Sequence, residues 1–135
     1  MIKLVFPLHR RTELSRQEFQ RYWRDTHGPL VRSHAGTLGI RRYVQNHTLA
    51  TPLNDGLRAS RGAPADYDGV AELWFDSLDA LAAAVATPEG QAASAELLED
   101  ERRFIDHARS PLWLSEEHEV IGPSRPRPQR GRPVS

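Results

Sequence analysis

Phe19-Gln20-Arg21-Tyr22-Trp23-Arg24-Asp25-Thr26-His27-Gly28-Pro29-Leu30-Val31 is the stretch on which the reading of this 135-residue chain turns. It predicts an amphipathic helix with Phe19, Trp23 and His27 at i, i+4 and i+8, so that one ridge carries two large aromatics and then an imidazole. Just upstream, Ser15-Arg16-Gln17-Glu18 has the form of a capping box, which starts the helix near residue 15. Gly28-Pro29 is expected to end it directly after His27, because the residue before a proline is pushed out of the α region, with a second short turn following Pro29. A ring at such an end feels two opposed influences. The helix dipole favours the imidazolium and apolar neighbours favour the neutral ring, a setting suited to acid–base exchange. The same position also suits a histidine that merely caps backbone carbonyls at the Gly-Pro break.

Working outward, strands and helices alternate. Ile2, Leu4, Phe6 and Leu8 share one face of a predicted first strand. Beyond the helix, Gly36 and Gly39 punctuate its exit and Ile40 to Leu49 reads as a second strand. Its faces are Tyr43, Gln45 and His47 on one side, Ile40, Arg42, Val44 and Asn46 on the other. Residues 50–68, rich in Pro, Gly, Asp and Ala, are expected to form a long loop. A third strand follows over Gly69 to Asp76, with Val70, Glu72 and Trp74 opposite Ala71, Leu73 and Phe75. Ser77 should cap a helix through Val85, and Thr87-Pro88-Glu89 should restart it as far as about Ala108. Leu112 to Ile121 is expected to supply the last strand. The resulting order, β-α-β-β-α-β, is the ferredoxin-like plan of an α+β domain. Two helices cover one face of such a sheet. The apolar residues left on the other face predict a homodimer with facing sheets.

Composition sets the remaining bounds. Residues 1–122 form one domain, and 123–135, with four arginines, four prolines and no acid, read as a disordered tail. Of 18 basic residues, removing those four leaves 14 against 18 acidic ones, so the body carries a net charge of −4. A mildly acidic body argues against nucleic acid as the main ligand. The apolar start, residues 1–6, is too short for a secretory signal and no run approaches the ~20 apolar residues of a membrane span, so no membrane association and a cytoplasmic location are expected. The chain has no cysteine, which removes disulfides, thiolate nucleophiles and thiolate metal sites. A glycine-rich phosphate loop, a dinucleotide fingerprint and a nucleophile elbow are also missing.

Several blocks in order carry a family resemblance. Phe19…Tyr22-Trp23…His27-Gly28-Pro29-Leu30-Val31, then Arg42-Tyr43-Val44-Gln45-Asn46-His47, then Asp68-Gly69…Glu72-Leu73-Trp74-Phe75-Asp76 resemble the EthD family. Pro88-Glu89-Gly90 and Phe104-Ile105-Asp106 extend the likeness. It implies a dimeric α+β barrel, an architecture shared by cofactor-free monooxygenases, polyketide cyclases, lactone isomerases and haem-handling enzymes. Some relatives look like decarboxylases or tailoring enzymes of aromatic polyketides. Fold alone does not choose among these reactions.

The candidate residues follow from chemistry and position. His27 is the expected acid/base, with Tyr43 and His47 placed to orient a phenol or carbonyl. Four residues apart on one strand face, the last two lie about 13 Å apart and would line one elongated cavity. Phe19, Trp23 and Trp74 are expected to wall that cavity, between the first helix and the sheet. Glu72 interrupts an apolar strand and is counted with the substrate-binding residues. It needs a partner: an arginine or tyrosine of the second strand, or a histidine whose tautomer it would fix. His107, near Asp106 and Asp100, reads as part of a solvated helix end. His118 lies among Glu116, Glu117 and Glu119, yet no His-x-His or His-x₃-His spacing supports a metal, and none is expected. His9 and His34 have weaker cases.

What remains is histidine, carboxylate and tyrosine chemistry. The expectation is a cofactor-free small-molecule enzyme acting by acid/base chemistry on a hydrophobic, aromatic or polyketide-like substrate. Cyclisation, decarboxylation, dehydration and isomerisation fit, as does cofactor-independent oxygenation. The alternatives are a non-catalytic binding or accessory protein for a hydrophobic metabolite, and a haem-handling protein with a histidine ligand.

Overall fold

Strand β1 (Ile2–Leu8) alternates as read, sending Phe6 and Leu8 into the core while Lys3 and Val5 face the other way. In the computed structural model, which describes residues 1–123, β1 is followed by α1 (Arg16–Tyr22), a π-turn (Trp23–His27), α2 (Gly28–Ser33) and α3 (Ala35–Leu38). Then come β2 (Arg42–His47), α4 (Pro52–Arg61), β3 (Gly69–Phe75), α5 (Leu78–Ala86), α6 (Pro88–Glu101), a 3₁₀ turn (His107–Arg109) and β4 (Trp113–Ser115). The sheet order is β2-β3-β1-β4, with every neighbour antiparallel. This is the ferredoxin-like α+β fold. The tail read at 123–135 lies, apart from its first residue, outside the described residues.

The helices pack on one face of the sheet. Phe6, Leu8 and Ala71 meet Phe19, Trp23, Phe104 and Ile105 in one cluster, and Phe75 meets Val31, Leu38, Ile40 and Ala93 in a second. Ser15 caps α1 through the expected box, accepting from the Glu18 amide while its own amide donates to the Glu18 carboxylate. Ser77 and Thr87 cap α5 and α6, and Pro88 occupies the first turn of α6. Among the described residues, no helix is long and apolar enough to cross a membrane.

Four expectations are corrected. The helix does not break at Gly28-Pro29: His27 (φ −70°, ψ −40°) and Gly28 (φ −55°, ψ −52°) are both right-handed helical and the chain runs on as α2. Glycine has no Cβ to clash with the proline ring, which removes much of the usual penalty before proline. Pro29 has no N–H for the carbonyl four residues back. The turn widens instead, with the Gly28 amide donating to the Trp23 carbonyl five residues earlier.

The second correction is α4, inside the segment read as loop. Thr51 accepts from the Leu53 amide, Pro52 sits in the first turn and Gly62 closes the helix in the left-handed region (φ 60°). None of its residues is buried, so capping rather than core packing defines it. Third, α6 stops at Glu101, not near Ala108, because Phe104 and Ile105 drop into the core and Ile105 bridges to Arg10. Fourth, β4 spans three residues instead of Leu112 to Ile121. Ser115 is already level with Lys3, so β1 ends almost at once beyond it and offers no partner. At the opposite end Pro7 has no amide to give, which suits the point where β4 has stopped at Val5.

Candidate functional site

The π-turn sets the site. Phe19, Trp23 and His27 form one buried ridge as expected, exposed by 0, 1 and 5%. Trp23 lies under β3 at Gly69, where an added Cβ would come within 2.5 Å of the indole and 2.7 Å of the Asn46 carbonyl. Only a glycine fits that crossing. Phe104 then packs against Phe19, Tyr22 and His27 at ring separations of 5.5, 5.2 and 4.9 Å. His27 is therefore held mid-helix by aromatic packing, and the expected helix-end dipole plays no part.

Its polar contact is specific. His27 Nδ1 lies 2.7 Å from Asp100 Oδ2 on α6, and the Tyr22 hydroxyl donates to the other oxygen, Oδ1, at 2.5 Å. Against that carboxylate Nδ1 carries the hydrogen and donates, which fixes the tautomer and leaves an Nε2 lone pair. Burial first, and the carboxylate second, push the Tyr22 phenol up to about 12, so it stays a donor. Among the described residues Nε2 has no protein partner, and it is not sealed from solvent-sized space. His27 belongs to the wall of a cavity of about 210 Å³ between the helices and the sheet.

That cavity is mostly apolar, with Leu4, Phe6, Trp23, Leu73 and Phe75 among its walls. Its polar groups converge from three elements: His27, Tyr43 on β2, and Ser94 and Glu101 on α6. Tyr43 accepts a hydrogen bond from Gln45 Nε2 at 2.8 Å, which leaves its own hydrogen to donate. Burial chiefly, with the Glu101 charge adding to it, raises the Tyr43 pKa and keeps that hydrogen in place. Glu101 is held at 3.0 Å by His107, whose ring stacks on Phe6. The reading of His107 as a solvated helix end is thus corrected.

The remaining candidates separate. His47 lies on the same strand face as Tyr43 but outside the cavity wall. It stacks on Trp23 at 4.5 Å and bonds Gln45 Oε1 at 2.8 Å. Since the Gln45 amide donates to Tyr43 and to the Trp23 carbonyl, its oxygen must accept from His47 Nε2. Gln45 thereby links the two residues that distance keeps apart. Phe19 is packed beneath the cavity as support, not exposed in its wall. Glu72 and Trp74 face away from the helices altogether, so the expectation that Trp74 walls the same pocket as Trp23 is corrected. Glu72 is held by Lys3 at 2.9 Å and Asn46 at 3.0 Å, and no histidine pairs with it. Asp100 and Tyr22 were missed by sequence reasoning. In a regular helix Tyr22 and His27, five apart, diverge; the π-turn brings both to one carboxylate. Groups of three or more metal-ligating side chains do not occur among the described residues.

The EthD domain profile matches residues 11–108. An EthD family protein from Bacillus halodurans shares the fold with TM-score 0.59 at 22% identity, over 87% of this chain and 99% of that one. An EthD-like protein from Ralstonia eutropha gives TM-score 0.58 at 24% identity, over 91% and 96%. A dimeric protein of unknown function and ferredoxin-like fold from Bacteroides fragilis gives TM-score 0.55 at 12% identity, over 86% and 95%. No match was found among curated protein sequences.

Proposed function

Because the chain belongs to the EthD family, we propose that it is a cofactor-free enzyme that moves protons on a hydrophobic, aromatic or polyketide-like small molecule. The observation that supports this best is His27: buried, fixed in tautomer by Asp100, with Nε2 unpaired among the described residues, and set in the wall of an apolar cavity. Nε2 takes a proton from a carbon next to a carbonyl, and the electron pair moves onto the carbonyl oxygen. The Tyr43 hydroxyl donates a hydrogen bond to that developing oxyanion. Asp100, itself held by Tyr22, stabilises the imidazolium until the proton is returned to another carbon or to a leaving oxygen. Cyclisation, dehydration and isomerisation use this half-reaction. A decarboxylation reaches the same enolate by breaking the bond to a carboxylate with loss of carbon dioxide, and needs from the imidazolium only the proton delivered to carbon. His47, Trp23 and Phe19 position the machinery.

The volume of about 210 Å³ supports a compact substrate. It exceeds the ~150 Å³ that holds benzene and falls below the ~300–1,000 Å³ of drug-sized sites, so one or two fused rings fit and a macrocycle such as haem does not. The outward sheet face, with Val5, Val44, Val70 and the half-exposed Trp113, supports a homodimer built by facing sheets. A monomer mass by light scattering at micromolar concentration overturns that assembly.

The chemistry is tested by deuterium exchange at the methyl carbon of 2-acetonaphthone, followed by NMR. The protein should accelerate exchange and His27→Ala should lose that acceleration with its fold intact by circular dichroism. No acceleration by the unaltered protein overturns the proton-transfer reading. Unchanged exchange in His27→Ala overturns the assignment of the base.

A further inference from the structure

A second hollow, about 410 Å³, opens at the outer edge of β2 beside the inner cavity. Val31, Ile40 and Tyr43 belong to the walls of both. The two differ in chemistry. Arg24, Arg32, Arg41 and Arg42 all line the outer hollow, and no carboxylate does. Asp25 pairs with Arg24 at 2.9 Å and Asp76 with Arg41 at 2.7 Å, so two of the four charges are offset from outside. Arg32 has no ion pair among the described residues. The Arg42 guanidinium carbon sits over the Trp74 ring, 4.6 Å from its centroid, with Glu117 attracting it from beyond ion-pair distance. In a body of net charge −4, this is a concentrated patch of the opposite sign.

We propose that the outer hollow is a subsite for an oxyanion group, carboxylate or phosphate, borne on the hydrophobic substrate whose body fills the inner cavity. The inference rests on the proposed function's placement of the substrate there. Guanidinium forks match oxyanions in both charge and spacing, and several of them around one concave site favour a single anion over bulk water. Tyr43 is one of the three residues that the two hollows share. A ligand spanning both would lie against it, and that would set the depth at which the reacting carbon meets His27. The charge would then choose the orientation of an otherwise featureless ring system.

The full-length protein is titrated calorimetrically with 1-naphthaleneacetate, its neutral amide and 1-naphthyl phosphate, at about 20 and about 500 mM sodium chloride. The acid should bind roughly tenfold more tightly than the amide at low salt. High salt should shrink that preference, and the double variant Arg24→Gln/Arg32→Gln should abolish it without changing the affinity of the amide. Whichever of the acid and the phosphate ester binds more tightly identifies the anion. Equal affinity for acid and amide overturns the subsite and leaves the inner cavity standing. A preference that survives in the double variant also overturns it, because the anion then binds elsewhere. No binding of any of the three probes overturns both the subsite and the cavity reading.

Discussion

The two faces of the sheet are made by alternate residues of the same strands, yet their polar groups are organised in opposite ways. On the outer face the network closes on itself. Glu72 receives Lys3 and Asn46, Trp74 Nε1 donates to Glu117 at 2.8 Å, and Lys3 also reaches Glu117 at 3.2 Å. On the inner face the chains of hydrogen bonds have ends. His47 donates to Gln45 and Gln45 to Tyr43, whose hydrogen is left over; Tyr22 and His27 share Asp100, and Nε2 is left over. Tyr43 and His27, which carry these loose ends, line the same cavity. Burial and charge alone do not tell the faces apart, since Trp74 is as buried as His27. A polar network that terminates at a void marks the site, and one that closes marks support.

The largest effect that contrast implies is on rate. His27→Ala should lower turnover by about 10²–10⁴, the usual worth of a positioned general base. Asp100→Asn should lower it less, because the ring keeps its place but loses its orienting charge. Glu72→Gln, in the closed network, should leave turnover unchanged. Steady-state kinetics on any turned-over aryl ketone decides it, and a Glu72→Gln defect matching that of His27→Ala would erase the distinction between the faces.

Next in size is packing at the β3 crossing. Trp23→Ala should cost about 3–5 kcal/mol in urea unfolding, as for other large buried aromatics. Gly69→Ala inserts a methyl group into the indole and the Asn46 carbonyl, and should cost about 1–3 kcal/mol. A neutral Gly69→Ala would show that Trp23 can move aside, and with it the fixed floor of the inner face.

Much of this was legible in the chain because strand alternation is a strict period of two. It sorted Tyr43, Gln45 and His47 from Arg42, Val44 and Asn46, and Ala71 and Phe75 from Glu72 and Trp74, as the structure has them. It also set Ile40 with Arg42, whereas the strand begins only at Arg42 and Ile40 packs in the core with Phe75. What alternation cannot say is which face receives the helices. Trp74 was therefore placed with Trp23 despite lying on the opposite set from the cavity. Helical position was less legible, since one π-turn rotates everything beyond it. The proline that seemed to end the helix instead widened it, and Asp100, 73 residues away in sequence, had no local signal tying it to His27. The start and stop signals of α4 were present, Thr51-Pro52 and Gly62, and Leu53 and Leu57 lie four apart on one face. A segment rich in Pro, Gly, Asp and Ala nonetheless reads as loop, and that face meets no core.

The smallest effect is also the one that separates the faces most cleanly, because they should yield to acid at different pH. Burial first, and the Arg24 charge second, lower the His47 pKa below its ordinary 6.5. Folding thus favours the neutral ring, so this contribution is full above pH 6.5 and is lost as pH falls from there through the folded-state value. At Glu72, burial would raise the pKa, but hydrogen bonds from Asn46 and Lys3 and the Lys3 charge outweigh it and hold the carboxyl below 4.5. Its contribution is full above about that pH and is lost only on further acidification. The inner face should therefore loosen first. His9, lowered by burial and by Arg109, adds to the same early decline. His47→Phe keeps an aromatic ring against Trp23 and removes one titration. The lost bond to Gln45 lowers stability equally at every pH, so the slope and not the level is diagnostic. Urea midpoints should fall less between pH 8 and 5 in His47→Phe than in the unaltered protein, while Glu72→Gln should show the unaltered slope there from a lower level and close the gap only below about pH 4.5. An unaltered slope in His47→Phe would assign the early decline to His9 and leave the inner face no more acid-sensitive than the outer one.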